Sequence, residues 1–306
     1  MIIITGALGF IGFNLLRELN SQGIDKIIIV ENIKNTKSLD VKLERLKKAK
    51  FYDLVDREDV KWEDLLSKDV KCVFHLGACT DTTERNFNYL FKNNYLFSKS
   101  LIEIAESKGI RVIYASSASV YGNKNQPVDE NSPLDPLNYY AYSKFLIDNY
   151  VIKSKKKNVV GLRFFNVYGP FEENKGKMSS VIFKFYHQLK KEGKVYLFEG
   201  SQNFKRDFIF VEDIVKICLF FMQNSFDGIY NCGTGKSISF VEIANIMIER
   251  MGFGKIEFIP FPEELKNQYQ EFTQAENSKL KEILKIEFTP IKKGIEKYLE
   301  YLSSKY

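Results

Sequence analysis

The chain has 306 residues, 44% hydrophobic and 27% charged, enough apolar material to bury a core without disulfide or metal staples. That balance excludes a disordered chain, a collagen-like repeat and a coiled coil. Lys+Arg 45 against Asp+Glu 39 leaves a net charge of +6, too slight for a dedicated nucleic-acid surface and compatible with an anionic small-molecule ligand. The four cysteines (Cys72, Cys79, Cys218, Cys232) show no CxxC spacing, and His75 and His187 are the only histidines. No metal site is expected from them, and so sparse a cysteine content fits a cytoplasmic protein. The apolar run Ile2–Ile4 is too short for a secretion signal. No stretch approaches the roughly 18 apolar residues of a membrane span.

In chain order, short β-branched runs at Met1–Thr5, Lys26–Val30, Lys71–Leu76, Val112–Ala115 and Val159–Arg163 predict strands buried on both faces. Helical patterns at Ile11–Asn20, Phe91–Lys108 and Tyr140–Lys153 lie between them. This alternation predicts an α/β fold with a Rossmann-type, doubly wound parallel sheet. The basic segment Lys42–Lys50 reads as a solvated helix with Leu43 and Leu46 as its apolar stripe. Phe164–Lys177, rich in Gly, Pro, Asn and charge, reads as a long functional loop. Helices follow at Ser179–Lys191, Glu212–Met222, Phe240–Met251 and Ile291–Ser303, with strands at Val195–Phe198, Arg206–Phe210 and Ile256–Pro260. The expected division is a dinucleotide-binding domain over 1–165 and a smaller, interleaved α/β substrate domain over 166–306, some of whose segments return to the first.

Between the first strand and the first helix stands Thr5-Gly6-Ala7-Leu8-Gly9-Phe10-Ile11-Gly12. Gly6 permits the tight turn, Gly9 lets backbone approach a pyrophosphate, and Gly12 lets helix and strand pack closely. Glu31 follows 19 residues after Gly12, at the end of the second strand, where a carboxylate can hold a ribose 2′-hydroxyl. By itself it favours NAD, whereas Lys34, Lys37 and Arg57 could favour a 2′-phosphate, and local chemistry leaves that choice open. Tyr140 and Lys144 stand at i and i+4 on one helix face. A free phenol titrates near about 10; a neighbouring ammonium and the positive nicotinamide ring should lower it, making the pair an acid/base for hydride transfer at a carbinol carbon. Ser116 and Ser117, just past the Val112–Ala115 strand, offer a hydroxyl to the substrate oxygen.

These motifs, with SSASVYG at Ser116–Gly122, resemble the extended short-chain dehydrogenase/reductase family. HLGACTDTTE (His75–Glu84), RFFNVYGP (Arg163–Pro170), NKGKMSSV (Asn174–Val181), LFEGSQNFKRDF (Leu197–Phe208) and PFPEELKNQYQEFTQAE (Pro260–Glu276) resemble its ADP-L-glycero-D-manno-heptose 6-epimerase branch. The resemblance implies an isomerase that inverts C6 of the heptose in ADP-D-glycero-β-D-manno-heptose. The route would be transient oxidation to a 6-ketone and return of hydride to the opposite face, for lipopolysaccharide inner-core synthesis. It implies tightly held, recycled NADP, with NAD as the alternative, and a homo-oligomer, pentamers being described for the family.

The same resemblance assigns Tyr140 and Lys175 as the two acid/base groups, Ser117 to the C6 oxygen and Lys144 to the nicotinamide ribose. It adds Phe10, Ile11, Asn32, Lys37, Arg57, Leu76, Gly77, Ala78, Asn93, Val167 and Lys175 as cofactor contacts. For the substrate it adds Asn166, Phe198, Glu199, Gly200, Ser201, Arg206 and Tyr269. Arg206 suits a diphosphate, its alternative being a structural ion pair with a nearby acid such as Asp207. Lys177 and Lys184 stand where relatives carry Ser and His, and count as further substrate candidates. His75 reads as a buried strand-end histidine and Asn231–Gly235 as a strand-to-helix turn rather than a second phosphate loop. Two other functions compete. One is another nucleotide-sugar epimerase or dehydratase, such as a UDP-hexose 4-epimerase. The other is a non-catalytic NAD(P)-sensing regulator, against which the retained Tyr140–Lys144 pair argues.

Overall fold

The strands are β1 (Ile2–Thr5), β2 (Ile27–Glu31), β3 (Asp53–Asp56), β4 (Cys72–His75), β5 (Arg111–Ser117), β6 (Val159–Phe164), β7 (Asn166–Tyr168), β8 (Lys194–Phe198), β9 (Lys205–Phe210), β10 (Gly228–Cys232), β11 (Ser237–Ser239) and β12 (Lys255–Ile259). They come from a computed structural model that describes residues 1–306 apart from 35, 37, 38, 68 and 264–269. The chain divides into two units. The first holds Met1–Ser117, Asn138–Arg163 and Ile214–Tyr230; the second holds Ala118–Leu137, Phe164–Asp213 and Asn231–Tyr306.

The first unit is built on a seven-stranded sheet in the order β10-β6-β5-β4-β1-β2-β3. β1 pairs in parallel with both β2 and β4, so the strand order reverses beside it, the place where open α/β sheets bind ligands at their carboxyl ends. β1, β2, β4 and β6 are buried at every residue, which is why they read as unbroken apolar runs. β3 has no such run: Asp53-Leu-Val-Asp56 is an exposed edge strand, and periodicity alone does not reveal it. The expected helix Phe91–Lys108 begins earlier. Asn86 caps Phe87–Leu90 by accepting from Tyr89 N–H, and a π-helical stretch, Phe91–Leu96, leads into Phe97–Ser107.

The second unit carries a three-stranded sheet, β11-β9-β7, and a parallel pair, β12-β8. Its core gathers Tyr168, Phe185, Tyr186, Phe208, Phe210 and Tyr298. The expected loop Phe164–Lys177 is more ordered than its composition implies. It contains β7, which buries Tyr168 and pairs with β9, and runs into a 3₁₀ helix, Glu173–Met178. A three-residue strand owes its existence to a distant partner, which composition does not carry. Among the described residues no helix is long and apolar enough to cross a membrane.

The tightest backbone approach in the first unit is at Gly12, where a Cβ would lie 2.1 Å from the Gly6 carbonyl oxygen. Gly12→Ala should therefore cost about 3 kcal/mol or more. Urea unfolding followed by circular dichroism measures this; a change below about 1 kcal/mol would mean that the loop relaxes freely.

Candidate functional site

The glycine loop turns at Gly6, whose φ is +70°, and passes so close to Gly77 that a Cβ on Gly6 would meet the Gly77 Cα at 2.6 Å. The helix Phe10–Ser21 that follows has no side-chain cap and no acid in its first turn, so Phe10 and Ile11 open an electropositive helix end suited to phosphate. Glu31 is buried at the end of β2. Its Oε1 accepts the Leu8 N–H at 2.8 Å. Its Oε2 accepts the Lys42 ammonium at 2.7 Å and the Asn32 N–H at 3.2 Å. Arg45, also buried, donates to the Leu8 carbonyl at 2.6 Å and lies over the Phe13 ring.

This overturns the reading of Lys42–Lys50 as a solvated helix with a leucine stripe. The helix spans Leu39–Leu46. Lys42 and Arg45, at i and i+3, point inward at two buried acceptors, while Leu43 is exposed. Arg57 donates its backbone N–H to the Glu31 carbonyl at 2.8 Å and lays its guanidinium over Phe97.

Beyond β4, the Leu76 N–H donates to the Thr5 carbonyl at 3.1 Å and the Gly77 N–H to Thr5 Oγ1 at 3.0 Å. Ala78 follows on the same loop. Asn93 lies on the π-helical stretch and donates to the Tyr89 carbonyl. Its buried neighbour Asn94 accepts from the Cys79 N–H at 2.9 Å and donates to the Cys79 carbonyl and Ser143 Oγ at 3.0 and 2.9 Å. The glycine crossings, the uncapped helix and the acid on β2 together fit a dinucleotide. Lys37 lies outside the described residues.

Ser116 and Ser117 are the last two residues of β5 rather than residues beyond it. The helix Tyr139–Lys153 is capped by Asn138, whose side chain accepts from Ala141 N–H. Tyr140, Lys144 and Asp148 follow one another at four-residue spacing along one face. The Ser117 hydroxyl hydrogen-bonds the Tyr140 phenol. The Lys144 ammonium is buried and donates to the Ala115 carbonyl at 2.7 Å. Asp148, which the sequence reading missed, accepts from Tyr114 and Arg163 at 2.8 Å each.

Burial lowers Lys144 to about 8, opposed by the Asp148 carboxylate. It pushes Tyr140 up to about 12, opposed by the bond from Ser117. The expected lowering of Tyr140 by Lys144 is thus absent here. Desolvation dominates the phenol's surroundings, and the ammonium is committed to a carbonyl. The missed acid was signalled by its position four residues beyond Lys144.

In the second unit, Lys175 sits on the Glu173–Met178 helix. Desolvation lowers its pKa, the Glu172 carboxylate opposes this, and Lys184 adds to it. Glu172 is buried and accepts from the Ser180 N–H and hydroxyl at 2.6 Å each. Lys184 Nζ donates to the carbonyl of exposed Lys177 at 2.8 Å. Asn166 and Val167 lie on β7, beside Phe208 and Ile209 of β9. Phe198 ends β8 and packs against Phe261. Glu199 is exposed, and Gly200 turns the chain with φ +83°. The Ser201 hydroxyl is buried with no hydrogen-bond partner among the described residues. Tyr269 lies outside them.

Asp207 is spent on backbone groups rather than on Arg206. Neighbours on a strand face opposite ways. Arg206 lies over the Phe240 ring, whereas Asp207 accepts from the N–H groups of Thr234, Gly235 and Ala275 at 2.8, 2.9 and 3.0 Å. The N–H groups of the Asn231–Gly235 segment are thus taken by a carboxylate of the chain itself, and the segment joins β10 to the short strand β11 rather than turning directly from a strand into a helix as the sequence implies.

A family model described as the NAD dependent epimerase/dehydratase family matches residues 2–233. A protein of Brachyspira hyodysenteriae named ADP-L-glycero-D-manno-heptose-6-epimerase is 45% identical over 99% of this chain and 98% of its own. The crystal structure of the Helicobacter pylori protein of the same name superposes with a TM-score of 0.86 at 30% identity, covering 99% of this chain and 96% of the other. A Bacillus cereus UDP-glucuronic acid 4-epimerase, solved with UDP-glucuronic acid and NAD, reaches 0.83 at 22% identity over 100% and 99% of the two chains, a likeness of fold.

His75 is buried between two hydroxyls, with Nδ1 2.7 Å from Thr5 Oγ1 and Nε2 2.7 Å from Ser98 Oγ. Ser98 donates to the Asn94 carbonyl, so its oxygen accepts from a neutral Nε2–H tautomer. Burial, with the charges of Lys144 and Arg57, lowers His75 to about 3. Below its unfolded pKa, near about 6.5, the unfolded chain binds the extra proton, so stability falls as pH drops from there towards 3. Between pH 7 and pH 5 this residue should remove about 2 kcal/mol. Urea unfolding at the two values measures the loss. His75→Gln should flatten it; an equally steep loss in that variant would assign the titration elsewhere.

Proposed function

Because the chain belongs to the NAD-dependent epimerase/dehydratase family, we propose that it is an isomerase that inverts C6 of the heptose in ADP-D-glycero-β-D-manno-heptose. The observation that carries this reading is the 45% identity across 99% of the chain to a protein named for that reaction. A nicotinamide cofactor, when bound, supplies a hydride acceptor and donor and, in its oxidised form, a positive charge. We take NADP as the resident form and a homo-oligomer as the assembly.

Ser117 holds the C6 oxygen, and Tyr140 removes its proton as hydride leaves the carbon. With its phenol at about 12, Tyr140 rests as a neutral acid, and the oxidised ring's charge favours its ionised form. Tyr140 takes the first proton, Lys175 gives one to the C6 oxygen in its second position, and the two groups are reset by proton exchange with solvent between turnovers. Lys144, fixed on the Ala115 carbonyl, orients the nicotinamide ribose. Lys175, whose surroundings ease loss of its proton, serves the C6 oxygen in its second position, after the ketone has turned over. Arg206 binds the diphosphate through its guanidinium. Hydride taken from one face and returned to the other leaves no net redox change, so the cofactor is regenerated.

Proton NMR of the purified protein with ADP-D-glycero-β-D-manno-heptose and no added cofactor should show the L-glycero epimer accumulating. Tyr140→Phe should slow this by roughly 10²–10⁴-fold with bound dinucleotide unchanged, and Lys175→Met should slow it within the same range. No conversion, even with NAD or NADP supplied, would refute the assignment and point to another nucleotide sugar.

A further inference from the structure

Glu31 is the acid expected to hold a ribose hydroxyl, yet its oxygens are already engaged. Oε1 takes the Leu8 N–H at 2.8 Å. Oε2 takes both the Lys42 ammonium at 2.7 Å and the Asn32 N–H at 3.2 Å, and two donors fill the two lone pairs of a carboxylate oxygen. The pair is removed from water: Glu31 is 6% exposed and Lys42 13%, where attraction between charges is strongest.

Lys42 is also held from a second side. Its Nζ donates to the Asn32 carbonyl at 2.7 Å, so these two acceptors use two of its three N–H groups. Lys47 on the same segment is 70% exposed and pairs with Glu44. Of the basic residues on this segment, Lys42 and Arg45 turn inward, and of these two only Lys42 meets the Glu31 carboxylate, Arg45 taking the Leu8 carbonyl.

We propose that Lys42 decides which dinucleotide this chain accepts: it neutralises Glu31, withholds that carboxylate from a ribose 2′-hydroxyl, and offers its remaining N–H and charge to a 2′-phosphate. The inference rests on the NADP reading above and explains how a site with a buried acid on β2 tolerates a further anion. A free Glu31 would chelate a ribose diol and repel a phosphate; a paired Glu31, with three of its four acceptor positions taken and its charge neutralised, can do neither fully. Removing the ammonium should therefore act twice, weakening NADP and strengthening NAD.

The test is retention in competition. Purified protein is equilibrated with equal excesses of NADP and NAD, freed of unbound nucleotide by gel filtration and denatured, and the released dinucleotides are quantified by chromatography. The wild type should retain NADP over NAD by about tenfold or more, and Lys42→Met should move that ratio about tenfold towards NAD, with more NAD retained than by the wild type. Lys42→Arg and Lys47→Met should keep the wild-type ratio. A Lys42→Met ratio equal to the wild type's, or a proportionate loss of both dinucleotides, overturns the role of Lys42. A wild type that prefers NAD instead overturns the NADP reading, whatever the variants do. Should Lys42→Met fail to fold by circular dichroism, Glu31→Gln takes its place. It should keep NADP and leave NAD retention at the wild-type level, because the paired carboxylate holds no ribose hydroxyl; a loss of NAD would show that Glu31 still holds one and would overturn the proposal.

Discussion

The first unit is organised by how closely backbone passes backbone at Gly6. Side chains are excluded there from both Gly6 and Gly12, so the ends of β1 and β4 and the start of the first helix converge. What holds the converged chain is a set of polar contacts that propagates away from it. Leu8 is gripped at both ends of its peptide units, by Glu31 at the N–H and by Arg45 at the carbonyl. Thr5 links the Gly77 N–H to His75. From His75 the bonds pass through Ser98 to Asn94, from Asn94 to Ser143, and from Ser143 to the carbonyl of Tyr140. The loop that would face phosphate and the helix that carries the phenol are thus registered against each other by side chains that touch neither ligand.

Buried charge is handled differently at each position. Arg163 and Asp148 form a fully buried pair with Tyr114 as a third partner, while Lys144, one turn away from Asp148, donates to a carbonyl rather than to a carboxylate among the described residues. The first arrangement is rigid and neutral. The second leaves an ammonium near its titration point at about 8, which suits a residue beside a proton-transferring phenol. Glu172 plays a comparable part in the second unit. It is locked by Ser180, and its charge opposes the desolvation of Lys175. In each unit an inert carboxylate stabilises a more responsive lysine.

The sequence made the central strands legible because both faces of each are buried, and it made the glycine loop legible because the turn tolerates so few residue types. Spacing places Tyr140 and Lys144 on one helix face, and strand-end position marks Ser116 and Ser117 without choosing between them. The edge strand β3 and the three-residue β7 were not legible, since their pairing is set by distant partners and not by their own hydropathy. Lys42 and Arg45 were misread because charge on a short helix usually faces water. Here two buried acceptors, a carboxylate 11 residues earlier and the Leu8 carbonyl, reverse the helix's orientation, and neither is visible in its local pattern. Asn94 escaped notice, and Asp207 was weighed only against Arg206, for a related reason: the groups they bond, the Cys79 backbone and Ser143 hydroxyl for Asn94 and the Thr234, Gly235 and Ala275 N–H groups for Asp207, lie far along the chain.

Asp207 shows what such a choice means for the fold. The Asn231–Gly235 turn presents N–H groups in the manner of an anion cradle, and the chain fills it with a carboxylate of its own, which also takes the Ala275 N–H. The protein thereby carries an internal counterpart of a ligand. The free energy that a phosphate would release on docking is released once, during folding, and serves to tie the segment around Ala275 to β9. A turn of this shape can thus be either a receptor or a fastening, and the difference lies in one side chain on a neighbouring strand.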